Sequence, residues 1–208
     1  MNFSFSEKSI NNGEDNTNRE MHNKMRTYLT LFLLLLVYPA LSQSLVKNNI
    51  HNLPAVGRGD MKWFDANLDG LYDVVITGID DNSQRVADVF RNNGDGTFTG
   101  YGSGLVPVSD GSIALGDINH DGLIDVFIHG HDGTNRTARL YLNAGNGIFN
   151  LSSNPFIGLA YGTGIMADLD NDGDPDLVYN GRDAAGVAHT LMYINNGDAT
   201  FTQVQANV

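Results

Sequence analysis

The sequence predicts an all-β chain, built as three repeats of four short antiparallel strands: the blades of a partial or open β-propeller. Three observations carry this prediction. A nine-residue acidic loop occurs three times, its copies starting 52 and then 51 residues apart. Each copy runs into a short apolar segment ending in glycine: Asp73 to Gly78, Asp125 to Gly130 and Asp176 to Gly181. Later in each unit comes an Asn- and Gly-rich turn that closes on an aromatic: Asn92 to Phe98, Asn143 to Phe149 and Asn195 to Phe201. A four-stranded repeat of about 40–50 residues is the mark of a propeller blade.

The loops come first because they carry chemistry. The third copy is Asp168-Leu169-Asp170-Asn171-Asp172-Gly173-Asp174-Pro175-Asp176. Acidic side chains stand at positions 1, 3, 5 and 9, and Gly173 at position 6 allows the sharp turn. Alternate side chains on a tight loop converge, and calcium wants six to eight hard oxygen ligands. Asp168, Asp170, Asp172 and Asp176 offer four carboxylates, and the Asp174 backbone carbonyl offers another oxygen. The first copy places Asp65, Asn67, Asp69 and Asp73 at the same positions, and the second places Asp117, Asn119, Asp121 and Asp125. Carboxylates this close repel one another unless a cation intervenes. The loops are not EF-hands, which need a bidentate Glu at position 12 and flanking helices. Position 12 is Ile76, Ile128 or Tyr179, and strand-like sequence follows each loop.

The remaining strands follow in order. Leu53 to Val56, Leu105 to Val108 and Leu159 to Gly162 begin the approaches to the loops. Third strands are predicted at Ala87 to Arg91, Ala138 to Leu142 and Thr190 to Ile194. Asn and Gly supply the positive φ of the tight turns that follow. Phe98, Phe149 and Phe201 then open the fourth strands and pack inward. The units fall at about 53–102, 103–152 and 157–206. No segment of this region has a helical period.

Ahead of the repeats, residues 1–24 read as a polar, Asn-rich extension, disordered or preceding a later true start. Residues 25–42 read as a signal peptide. A basic start at Lys24 and Arg26 is followed by an apolar run from Leu29 to Val37, too short to span a bilayer. Ala40-Leu41-Ser42 forms the cleavage signal. Residues 43–208 are the mature chain, with no membrane span.

Composition agrees. Net charge is −12, and from Gln43 onward the chain holds 20 Asp and no Glu against eight Lys and Arg. Asp favours turns and Glu favours helices. So acidic a surface is a poor partner for nucleic acid. With no cysteine, the chain has neither a disulfide framework nor thiol chemistry.

From Leu53 to Val204 the chain resembles the FG-GAP or VCBS repeats, calcium-loop blades found in the integrin α-subunit propeller and in secreted bacterial proteins. The resemblance rests on the Asp-x-[Asp/Asn]-x-Asp-Gly-x-x-Asp loops and the Asn-x-Gly-x-x-x-Phe turns, present in all three units. It implies one Ca2+ per loop. The implied ligands are Asp65, Asn67, Asp69, Leu71 and Asp73; Asp117, Asn119, Asp121, Leu123 and Asp125; and Asp168, Asp170, Asp172, Asp174 and Asp176. Leu71, Leu123 and Asp174 would act through main-chain carbonyls. Propellers of this family have about seven blades, and three cannot close a ring. The end blades should expose apolar flanks and sheet edges. A fragment of a longer propeller, a homodimer completing a ring, and an open array are the alternatives.

The function expected is that of a secreted, calcium-binding module for protein or carbohydrate recognition and adhesion, not an enzyme. The alternative is a piece of a larger propeller-containing secreted enzyme or lectin whose active part lies elsewhere. Other residues read as incidental. His129 and His131 read as exposed loop histidines, and His51, His120 and His189 stand alone. Arg58-Gly59-Asp60 falls where the first strand should begin. Tyr141 and Trp63 should pack between sheets, while Tyr161 and Arg182 could line a binding surface.

Overall fold

The computed structural model describes residues 21–25 and 52–204. Residues 21–25 form a short exposed helix. The signal segment expected over 25–42 lies outside the described residues except for Met25, and the extension over 1–24 lies outside except for residues 21–24.

Within the compact unit Asn49–Val208, twelve strands form three four-stranded antiparallel sheets, each in simple meander order. The first holds β1 (Gly57–Phe64), β2 (Asp73–Ile79), β3 (Arg85–Asn92) and β4 (Phe98–Gly100). The second holds β5 (Ser109–Gly116), β6 (Asp125–His131), β7 (Arg136–Asn143) and β8 (Phe149–Leu151). The third holds β9 (Gly164–Ala167), β10 (Asp176–Arg182), β11 (Ala188–Asn195) and β12 (Phe201–Val204). These are blades of an open propeller. The fourth strands begin on the predicted phenylalanines. Phe149 is buried, while Phe98 and Phe201 are half-buried.

The sheets stack through two apolar seams. Side chains alternate across a strand, so β6 serves both seams. Val126 and Ile128 join Phe64, Val75, Val89 and Ile113 against the first sheet. Phe127 joins Leu177, Tyr179, Leu191 and Tyr193 against the third. The first and third sheets each keep one face that no other described sheet covers.

Arg58-Gly59-Asp60 does fall in the first strand, and the structure explains it. The pairing of β1 with β2 slips between Gly57 and Asp60, and that of β5 with β6 slips between Ser109 and Ser112. Arg58, Asp110 and Tyr161 take positive φ at this repeated point (52°, 57° and 62°). The following residues are Gly59, Gly111 and Gly162, where a Cβ would overlap the carbonyl oxygens of Thr77, His129 and Asn180. Glycine is required because two backbones touch here.

Three side-chain expectations are corrected. Trp63 is 53% exposed rather than packed between sheets, because no other described sheet covers its face of the first sheet. Tyr141, on a face that does, is buried. His129 is fully buried, not an exposed loop residue, because its position on β6 points into the second seam. Nor do His120 and His189 stand alone: they pair with Asp174 at 2.5 Å and Asp183 at 2.9 Å.

Candidate metal centre

Each acidic loop links the first strand of its sheet to the second. Position 4 (Leu68, His120 or Asn171) takes positive φ, and so does the glycine at position 6. This curls the chain around the carboxylate at position 1. Asp65 and Asp117 each accept two backbone N–H groups, from positions 5 and 6, at 2.9–3.1 Å. Asp168 accepts those of Asn171 and Gly173 at 2.7 and 3.1 Å.

Position 9 is the anchor. Asp73, Asp125 and Asp176 are all fully buried. One oxygen of each accepts the position-2 N–H, from Ala66, Ile118 or Leu169, at 2.8–3.1 Å. The other accepts the N–H of Asn92, Asn143 or Asn195 at the end of the third strand, at 2.7–2.8 Å. Burial pushes the Asp125 carboxyl up to about 6, against the pull of its two N–H donors and with the charges of Asp121 and Asp117 adding to the rise. Burial raises Asp73 as well. A carboxylate buried beside like charges is strained without a counter-cation.

The loops differ at position 3. In the first two, the amides of Asn67 and Asn119 donate to the position-5 carboxylates of Asp69 and Asp121, at 2.9 and 3.0 Å. The Leu71 N–H and the Asn67 amide hold Asp69 below the ordinary carboxylate range. The third loop has Asp170 instead, pushed up by desolvation and by the neighbouring charge of Asp172. Carboxylate oxygens of Asp168, Asp170 and Asp176 come within 4.8 Å of one another. This trio could hold a metal ion, and its all-oxygen donor set suits a hard cation such as calcium.

The other expected ligands are placed as follows. Asp172 accepts the Asp174 N–H at 2.9 Å. The Leu71 and Leu123 N–H groups bond to Asp69 and Asp121 at 2.9 and 2.8 Å. The side chain of Asp174 reaches across to His120 of the second loop.

Sequence reasoning missed the asparagines that open the recurrent turns. The side-chain amide of Asn143 donates to the Ala66 carbonyl at 3.0 Å, and that of Asn195 to the Ile118 carbonyl at 2.9 Å. Each thus ties its sheet to the preceding loop, 77 residues back. The signal was present as an Asn at the same point of every unit.

Comparison with curated proteins finds no match. The family model of the FG-GAP-like repeat matches residues 65–128 and 117–179. Each matched span opens on the first Asp of a loop and ends in the second strand of the next sheet, at Ile128 in β6 or Tyr179 in β10. Together the spans cover more than half of the sequence, and the chain belongs to the FG-GAP-like repeat family.

Proposed function

We propose that the protein is a secreted, non-catalytic propeller module that binds calcium at its three acidic loops and uses the calcium-stiffened blades to recognise a protein or carbohydrate in adhesion. The observation that carries the calcium reading is the converging trio Asp168, Asp170 and Asp176. The buried anchors Asp73 and Asp125, raised by burial, support it at the other two loops. Implied ligands are the loop carboxylates, Asn67 and Asn119, and the carbonyls of Leu71, Leu123 and Asp174. The cation supplies charge neutralisation. The chain itself shapes the loops and ties them to the sheets.

Extracellular calcium modules bind at about 10⁻⁴–10⁻³ M. At millimolar calcium and a constant near ~10⁻⁴ M, each site stabilises by roughly 1.5 kcal/mol. Three sites give about 4–5 kcal/mol, a large share of an ordinary domain's stability. Thermal unfolding with calcium and with chelator tests the calcium reading: a Tm raised by calcium supports it, and an indifferent Tm overturns it. Glycan arrays set beside protein-binding screens then separate the two ligand classes. The open face of the third sheet favours a second reading, in which these blades work within a larger secreted enzyme or lectin.

A further inference from the structure

We propose that two copies of this chain dock head to tail, the open face of the third sheet against the open face of the first, and close a six-bladed ring.

Both described joints between sheets use the same positions, and the third sheet repeats those positions with no other described sheet against them. Position 2 of the loop is fully buried in the first two units, at Ala66 and Ile118, but Leu169 is 45% exposed. On the first strand, Ala114 is 3% exposed beneath the third sheet, whereas its counterpart Ile165 is 62% exposed. On the third strand, Leu140 is 1% exposed and its counterpart Met192 is 36%. Polar stitches end at the same point. Thr77 donates to the Val108 carbonyl at 2.8 Å, and His129 meets the Leu159 carbonyl at 3.1 Å. Asn180 holds the equivalent place on the open face.

The first sheet carries the matching half. Phe90 and Phe98 occupy the positions that Tyr141 and Phe149 use to fill the first seam. Met61 and Trp63 stand 50% and 53% exposed, where Ile113 is fully buried and Leu115 packs against the core. Val74 and Ile76 are already buried in this sheet, so Met61 and Trp63 provide the contact. Asn92 corresponds to the two stitching asparagines. Its amide donates to the Tyr72 carbonyl at 3.0 Å, and its other N–H is suited to the Leu169 carbonyl of a second copy. Both open faces border one groove of about 610 Å³, lined by Trp63, Ile165, Val178 and Thr190. One partner can therefore cover both faces. A head-to-tail contact makes a closed ring when its rotation closes, and six blades lie within the range of known propellers.

Sedimentation of the full chain in calcium tests the ring, with circular dichroism confirming that each variant folds. The expected species is a dimer that Met61→Lys and Ile165→Lys each convert to monomer. Because the chain has no cysteine, the double variant Asn92→Cys with Leu169→Cys should form a covalent dimer on oxidation, and neither single variant should. Three results would each overturn the proposal. The unmodified chain could stay monomeric at high concentration. Leu169→Cys alone could cross-link, meaning that like faces pair. Open-ended higher assemblies would mean that the ring does not close.

Discussion

The two seams between sheets have the same joints but different fillings. The first is largely aliphatic, with Val75, Val89, Val108, Ile113, Val126 and Ile128 around Phe64, Tyr141 and Phe149, of which Phe64 and Phe149 pair at 6.5 Å. The second is aromatic. Phe127 lies 5.4 Å from Phe156 and 5.0 Å from Tyr179, and Tyr179 stacks on Tyr193 at 5.9 Å. At both seams an asparagine amide bonds to the loop 77 residues earlier. At both, a buried polar side chain, Thr77 or His129, meets a carbonyl of the next unit. Directional bonds set the spacing between blades, and apolar side chains of suitable volume fill what remains.

Truncation in the second seam should have the largest effect. Phe127→Ala removes a fully buried ring with three aromatic neighbours. It should cost about 3–5 kcal/mol in chemical denaturation. Ile128→Val in the first seam should cost only about 0.5–1.5 kcal/mol. A Phe127→Ala cost no larger than that of Ile128→Val would mean that the second seam collapses around the missing ring.

The joints themselves come next. Asn143→Ala and Asn195→Ala should each cost about 1–3 kcal/mol, since each strands a buried carbonyl. Similar values from the two seams would support the view that the stitch is independent of its filling.

In the loops, Asp170→Asn makes position 3 match Asn67 and Asn119. Calcium affinity of the third loop should fall by about tenfold, since carboxylate count tunes such sites. With four carboxylates against three, the third loop should bind tightest, and a titration in which it is no tighter than the others would reject this ordering.

His129 gives the smallest effect, seen only as pH falls. Its Nε2 accepts from the Ser112 hydroxyl, whose oxygen accepts the Gly164 N–H, and its Nδ1–H donates to the Leu159 carbonyl. Burial lowers its pKa. The folded state therefore binds a proton less readily than the unfolded chain. Stability from this residue is fully present above about pH 6.5 and is lost as pH falls through the depressed folded value. His129→Gln should flatten this part of the stability profile, and an unchanged acid limb would show that the ring is not held neutral.

Much of the fold was legible because its signals are local. Loop, turn and strand recur with a period, and a strand's length follows from its bounding glycines and asparagines. The predicted second and third strands fell short only at their ends, as where β2 runs one residue past Gly78 to Ile79. The first strands begin later than the approaches at Leu53, Leu105 and Leu159, at Gly57, Ser109 and Gly164. What remained hidden depends on neighbours. His129 looks like a loop residue in a His-x-His pair, yet the third sheet buries it. Trp63 looks like a core residue, yet no described sheet covers its face. The converging trio was legible as a set of carboxylates. That Asp174 turns away to His120 was not, because that contact joins residues 54 apart.

The anchors at position 9 also give the array a centre. Asn143 is pinned between two consecutive loops: Asp125 holds its N–H while its amide holds the Ala66 carbonyl. Asn195 is pinned in the same way between Asp176 and the Ile118 carbonyl. The middle loop is thus wired into both joints and each outer loop into one. On the proposed calcium reading, a variant that cannot hold the cation in an outer loop should loosen one hinge of the array, whereas one in the middle loop should free both at once. Proteolysis of single-loop variants would then show a keystone rather than three equal rivets.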